Sequence, residues 1–344
     1  MQSNHFIKAG LLGVSIALLS MATWEVYLRN QGFPISYDDN DPLWANKRAM
    51  VYEPKDEATV FIGSSRIKYD LDIPTWEAMT GDRVIQLANL GSSPRPVLTD
   101  LSNDPHFAGK LIIDVVEGLF FSEVNRRDVE TFGKISYFHQ VTPTQKFSFQ
   151  VNHFLESEFV FLDQTAFSFN GLINKHRVNR PGVFQLAIFP DEFHGNTFGR
   201  QSFMMPRFLT DTSLQRKVQD IWAFNLKQPR KPPVRGDSLQ MMLYSIKAQV
   251  DKIKSRGGKV LFVRPPSSGP FRAGELKNYP RALYWDALLK ITGCPGVYFE
   301  DYPETAHMIC PEWSHLTPAD AVVFTRTLVR ALETEKGWSF PKKN

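Results

Sequence analysis

Cysteine is scarce in this chain, and runs of one charge are scarcer still. Two cysteines among 344 residues cannot by themselves make a four-ligand zinc site. Lys and Arg total 40 against 36 Asp and Glu, a net charge of +4. No long basic run stands outside the tail Pro341-Lys-Lys-Asn344, so the footprint of a nucleic-acid binder is absent. His194, in Asp191-Glu-Phe-His194, is a lone cluster in a loop and is not assigned a metal. No cofactor is implied.

Charge is also missing between Lys8 and Glu25, and there the gap is informative. Ala9 to Trp24 falls a little short of the roughly 18–20 apolar residues that span a bilayer comfortably. Val26, Tyr27 and Leu28 extend it, and Trp24 and Tyr27 suit the membrane interface. The position at the extreme start favours export over a buried core helix. Ser20-Met21-Ala22 loosely resembles a signal-peptidase site, but the expectation is an uncleaved anchor over residues 1–29, with Lys8 on the cytoplasmic side. The remainder then lies outside the cytoplasm, where Cys294 and Cys310 read as a disulfide. Two buried free thiols are the alternative.

Residues 30–57 are polar and irregular, as in a linker. Short apolar runs with the β-branched content of buried strands follow: Thr59–Ile62, Val84–Leu87, Leu111–Val116, Lys259–Val263 and Val297–Glu300. Leu239, Met242, Leu243, Ile246, Val250 and Ile253 mark one face of a helix ended by Gly257-Gly258. Ala321, Phe324, Leu328 and Leu332 mark another. Strands alternating with helices predict an α/β domain with a parallel sheet covered on both faces. It spans residues 58–335, interrupted by an aromatic-rich, partly helical insertion over 119–235 and followed by a tail over 336–344.

The string Gly236-Asp-Ser-Leu239 spells GDSL, the name of a serine esterase family. Its surroundings do not fit a nucleophile, which needs a sharp turn at a strand's end. Gln228-Pro-Arg-Lys-Pro-Pro-Val-Arg235 holds three prolines and cannot be a central strand. Asp237 or Ser238 is better read as the N-cap of the helix that follows.

Thr59-Val-Phe-Ile-Gly-Ser-Ser-Arg66 has the missing context. A buried strand runs into Gly63-Ser64-Ser65, which places Ser65 at the sheet's carboxyl edge, where open α/β sheets bind ligands. Near the other end, Pro311-Glu-Trp-Ser-His-Leu-Thr-Pro-Ala-Asp320 precedes the last helix. Thr317 suits its N-cap and Pro318 its first position, with Asp320 completing a capping pattern. His315 is thereby fixed beside Glu312, as a general base oriented by a carboxylate has to be.

These two blocks resemble the SGNH/GDSL hydrolase superfamily, whose first block is a strand ending in Gly-Asp-Ser and whose last is Asp-x-x-His before the final helix. The resemblance covers roughly residues 58–335 less the insertion, and implies a three-layer sandwich. Gly-Ser-Ser-Arg behind a membrane anchor looks like the envelope branch, which includes accessory proteins of alginate O-acetylation and teichoic-acid D-alanylation. It implies Ser65 as nucleophile, His315 as base and Glu312 in place of the usual aspartate. It further implies a glycan substrate, a multi-spanning membrane O-acyltransferase as partner, and a single-pass protein of the bacterial inner membrane with its domain in the periplasm. Asn89-Leu-Gly91 stands for the second block, with Gly91 and Asn89 as oxyanion donors, although Gly91 is displaced from the usual spacing. Val115–Phe120 lacks the third block's asparagine. Arg66 either holds an anionic substrate group or pairs with a carboxylate. Arg264, opening the loop after the fourth strand, is a candidate substrate contact. A catalytically degenerate binding or assembly protein is the rival reading, and a cytoplasmic enzyme the third.

Overall fold

The computed structural model describes residues 2–54, 56–123, 126–175, 188–228 and 232–341. Part of the proline stretch (229–231) and the end of the tail (342–344) lie outside the described residues.

Five strands form one parallel sheet. They are β1 (Ala58–Ile62), β2 (Arg83–Gln86), β3 (Lys110–Asp114), β6 (Lys259–Arg264) and β7 (Gly296–Tyr298), in the order β2-β1-β3-β6-β7. All five expected strands are present. β1 and β3 are buried along their whole length, because helices cover both faces of the sheet. That is why these strands read as continuous apolar runs without alternation.

Helices α3 (Ser65–Asp70) and α4 (Ile73–Thr80) follow β1 and pack against the last helix, α16 (Pro318–Thr334). On the other face α5 (Arg95–Asn103) and α15 (Arg281–Thr292) pack against α13 (Gly236–Ser255). α14 (Gly269–Asn278) links β6 to α15. The apolar stripe read from the sequence is the buried face of α13, with Leu239, Leu243, Ile246, Val250 and Ile253 inside. Each such side chain contributes about 1.5–3 kcal/mol on burial.

The chain leaves β1 towards β2 on one side and then crosses to β3 on the other. The carboxyl ends of β1 and β3 therefore flank the crevice where the winding reverses, the place such sheets offer to ligands.

Between β3 and β6 the chain adds no strand to the sheet among the described residues. It forms α6 (Glu117–Phe120), α7 (Arg126–Gln140), α8 (Pro143–Glu158), α9 (Gln164–Phe167), α10 (Phe169–Lys175), α11 (Pro206–Thr210) and α12 (Thr212–Lys227). A two-stranded ribbon, β4 (Gly195–Asn196) with β5 (Ser202–Phe203), lies among them. A small core of its own, with Phe193, Met204, Phe208 and Val218, closes on Tyr69 of α3.

The amino-terminal helix α1 (Gln2–Asn30) is long and apolar enough to cross a membrane by length and composition. The stretch expected as an irregular linker holds a helix, α2 (Asp41–Ala49), capped by Asn40. Asp39, just before it, is clamped by Arg200 (2.6 Å), Lys68 (2.5 Å) and the Lys134 amine on its carbonyl (2.7 Å). Burial pulls Lys68 down to about 7 against the opposing pull of Asp39.

The expected disulfide is absent. Cys294 and Cys310 are both buried free thiols. Cys294 precedes β7 at the sheet's amino edge, whereas Cys310 is tied to Ser268 beyond the carboxyl end of β6. The register puts Phe262 beside Gly296, so about four strand residues, roughly 13 Å, separate the two levels. A bridge tolerates no more than about 7 Å between Cα atoms.

Candidate active site

β1 runs straight into Gly63, where a larger residue would crowd its neighbours. A Cβ at Gly63 would stand 2.7 Å from Asp114 Oδ2 and 2.8 Å from Ile67 Cγ2. The closeness lets Asp114, at the end of β3, accept both the backbone N–H (2.9 Å) and the hydroxyl (2.8 Å) of Ser64. Burial raises the Asp114 carboxyl, and these two bonds oppose the rise. Ser64 is also the N-cap of α3. Its hydroxyl is thus committed, and the half-buried Ser65, first residue of α3, is the serine left at the crevice.

The histidine loop is held from several sides. Glu312 Oε1 accepts from His315 Nδ1 (2.9 Å), from the His315 backbone N–H (2.6 Å) and from that of Ser314 (3.2 Å). Its other oxygen accepts from the indole N–H of Trp222 on α12 at 2.5 Å. Glu312 is wholly buried, and His315 almost so. A carboxylate only accepts, so Nδ1 must carry the proton and Nε2 is the basic nitrogen of the neutral ring. Nε2 is buried and has no hydrogen-bond partner.

Trp313, between them, takes a left-handed backbone (φ 76°), a strain of about 1–3 kcal/mol for a non-glycine residue. Its carbonyl accepts from the Ser268 N–H (2.9 Å), and its ring abuts Gly269. Thr317 caps α16 as the sequence suggests, accepting from the Asp320 N–H (3.1 Å).

Three contacts join this loop to the serine's helix. The Leu316 N–H donates to Asp70 (2.9 Å), Arg66 Nε lies 3.5 Å from Ser314 Oγ, and the Tyr69 ring covers His315 with centroids 4.4 Å apart. Ser65 and Tyr69 are four residues apart, hence on one helix face. Ser65 therefore lies one turn along from the ring that covers His315. Burial drives the Tyr69 hydroxyl upward, helped by the charge of Glu312. It likewise drives Asp70 up, against the Leu316 N–H bond. The Tyr69 hydroxyl lies 2.7 Å from His194 Nδ1, and burial pushes His194 down to about 4.

Both arginines named as candidate substrate contacts are paired inside the protein, which for Arg66 is the carboxylate pairing offered as its alternative. Arg264 is fully buried, bound to both oxygens of Glu117 (3.1 and 3.2 Å) and to Glu275. Arg66 is buried too, and pairs with Glu275 at 2.5 Å. Burial opposes ionisation of Glu275, yet Arg264 and Arg66 hold its carboxyl down to about 2. These groups form a brace under the loops at the carboxyl edge. Charges this deep need partners, and each arginine finds a carboxylate.

Asn89 is also held within the protein. Its amide donates to Thr131 (3.2 Å), its carbonyl oxygen accepts from Arg200 (3.1 Å), and its backbone N–H donates to Gly63 O (3.1 Å). These bonds brace the turn after β2 and use one of the two amide N–H groups. Gly91 occupies a left-handed turn (φ 64°). Among the described residues no group of acidic, His and Cys side chains is arranged to hold a metal.

Trp222, Tyr69 and Arg200 are site-building residues the sequence did not flag. Tyr69 was within reach, because helical spacing from Ser65 points to it. Trp222 and Arg200 carry no local signal. Neither a family model nor a curated protein matches the chain.

Proposed function

We propose that this chain is a membrane-anchored serine enzyme of the SGNH/GDSL type, acting on acyl esters of a cell-envelope polysaccharide. Ser65 Oγ attacks the ester carbonyl while His315 Nε2 takes its proton, with Glu312 holding the imidazole. Collapse of the tetrahedral adduct breaks the ester bond, and His315 returns the proton to the departing alcohol. Water or a glycan hydroxyl then attacks the acyl-serine, with His315 as base, giving an esterase or an O-acyltransferase. The backbone N–H groups of Ser65 and Gly91 are the oxyanion donors, with the remaining amide N–H of Asn89 as a third.

The observation that carries this reading is the buried, unpartnered Nε2 of a histidine whose other nitrogen is fixed by a carboxylate. An unsatisfied buried nitrogen costs about 1–3 kcal/mol, and catalysis is a reason to retain it. In the same reading residues 119–235 are an insertion in the SGNH sandwich that supplies Trp222, and α1 is a single-pass anchor in the bacterial inner membrane. The domain then faces the periplasm, beside a multi-spanning O-acyltransferase that delivers or receives the acyl group.

One observation favours a non-catalytic binding or assembly role instead. The third-block position is taken by Glu117, paired to Arg264. Turnover of an aryl acetate by the full-length protein in detergent decides between them. Hydrolysis abolished by Ser65→Ala supports the enzyme. An inert wild-type protein, and a Ser65→Ala gene that restores function to a deletion strain, would establish the binding role.

A further inference from the structure

Helix α8 carries apolar side chains on two opposite faces. Phe149 and His153 turn inward, stacking with Phe198 of the ribbon's loop at 6.4 and 3.7 Å between ring centroids. Phe147, Val151, Phe154 and Leu155 are exposed, Phe147 at 68% and Phe154 at 65%. Their spacing of i, i+4, i+7 and i+8 makes one continuous stripe, pointing away from the protein. Left in water, such a stripe is a standing cost and marks a contact surface.

The far end of α8 is fastened to the last turns of α1. Arg29 donates to the carbonyl of Glu158 (2.8 Å), and Glu25 accepts the N–H groups of Val160 (3.0 Å) and Phe161 (3.1 Å). Phe167 of α9 packs edge-on against both Trp24 (6.5 Å) and Phe33 (5.1 Å). Just beyond it, Phe169 is 78% exposed and Ile173 half exposed, four residues apart on α10. The carboxyl end of α8, with Phe154 and Leu155 near it, and the start of α10 thus stand close to the level where α1 leaves its apolar run, at Trp24 and Tyr27. That level is the membrane interface, where amphipathic aromatic rings reside.

We propose that α8 lies on the bilayer surface with Phe147, Val151, Phe154 and Leu155 inserted at the headgroup–acyl boundary, α10 adding Phe169 and Ile173. Its partner is lipid, held at a second, interfacial contact beside the spanning helix. Two contacts fix the domain's tilt, which one helix alone does not, and so set the crevice at a constant height over the membrane. The inference rests on α1 spanning the bilayer and is independent of the serine chemistry.

Spin labels placed singly at Val151→Cys, Phe154→Cys and Asn152→Cys in the full-length protein test it, in phosphatidylethanolamine–phosphatidylglycerol vesicles. The native thiols are buried, which leaves the new cysteine to react. Labels at 151 and 154 should collide several-fold more with oxygen than with a water-soluble nickel chelate, with the reverse at 152. Nickel access at 151 and 154 equal to that at 152 overturns the proposal. Shielding of 151 and 154 from both reagents also overturns it, because the stripe then packs on protein. A label at Val14→Cys reports α1 separately. If it lies in water the anchor itself fails, whereas lipid at 14 with water at 151 fails only the interfacial helix.

Discussion

Gly63-Ser64-Ser65 and Gly236-Asp237-Ser238 both open helices, and only the second spells a family's name. Ser238 sits exposed in the first turn of α13, behind an irregular approach, and Gly236 has nothing within 4 Å of where its Cβ would be. The helix starts slightly earlier than the sequence suggests: Arg235 is its N-cap, without a side-chain bond, and Asp237 and Ser238 fall inside it. At Gly63 the place a Cβ would take is occupied by Asp114 and Ile67. The turn there delivers Ser65 to the crevice between β1 and β3, beside a braced histidine loop. Four letters identify a composition. A strand's end, a carboxylate across the crevice and a histidine on the neighbouring loop make a candidate site.

The sharpest test of that contrast is substitution at both serines. Ser65→Ala should lower aryl-ester turnover by about 10⁴-fold or more, with Ser238→Ala unchanged in rate and in melting temperature. Glu312→Gln should come next, at about 10²–10⁴-fold in kcat, since an amide can present the wrong hydrogen-bonding face to His315 Nδ1. Its pH–rate profile should shift as well, which a merely packing role would leave alone.

Stability variants probe the frame around the first serine. Glu275→Gln takes from Arg66 the carboxylate it pairs with, leaves Arg264 with Glu117 alone, and should cost about 3–5 kcal/mol in denaturant unfolding at pH 7. Folding holds the Glu275 carboxyl down at about 2 from a normal 4.5. Its contribution is therefore complete above about pH 4.5 and is lost as pH falls towards 2. Wild type and Glu275→Gln should converge in acid and diverge towards neutrality.

Gly63→Ala should destabilise by about 1–3 kcal/mol from overpacking. Gly236→Ala, with open space but a φ of 57°, should cost about 1 kcal/mol. Equal effects at the two glycines would erase the distinction between the two turns. Trp222→Phe should have the smallest effect, a loss of about 10-fold in kcat with KM and melting temperature little changed.

The sheet was legible because burial on both faces writes each strand as an unbroken apolar run, as in Thr59–Ile62 and Leu111–Ile113. The cap at Thr317 and the apolar face of α13 were legible for the same reason, since local periodicity and local chemistry agree there. What the sequence left open or misplaced has a different cause. Arg66 and Arg264 stand where ligand-binding residues stand, and only the fold brings Glu117 and Glu275 to neutralise them. Cys294 and Cys310 are near in sequence and far apart across the sheet. Asn89 is claimed by Thr131 and Arg200, which reach it from residues 119–235, where no periodicity marks the elements. Long-range partners decide what a polar residue does, and a single sequence does not state them.

The most direct measurement is the location of a covalent adduct. Full-length protein treated with a fluorophosphonate, digested and read by mass spectrometry should carry the label on the peptide containing Ser65 and on no other. Unlabelled protein that remains folded, or label on the peptide containing Ser238, would contradict the assignment of Ser65 as nucleophile.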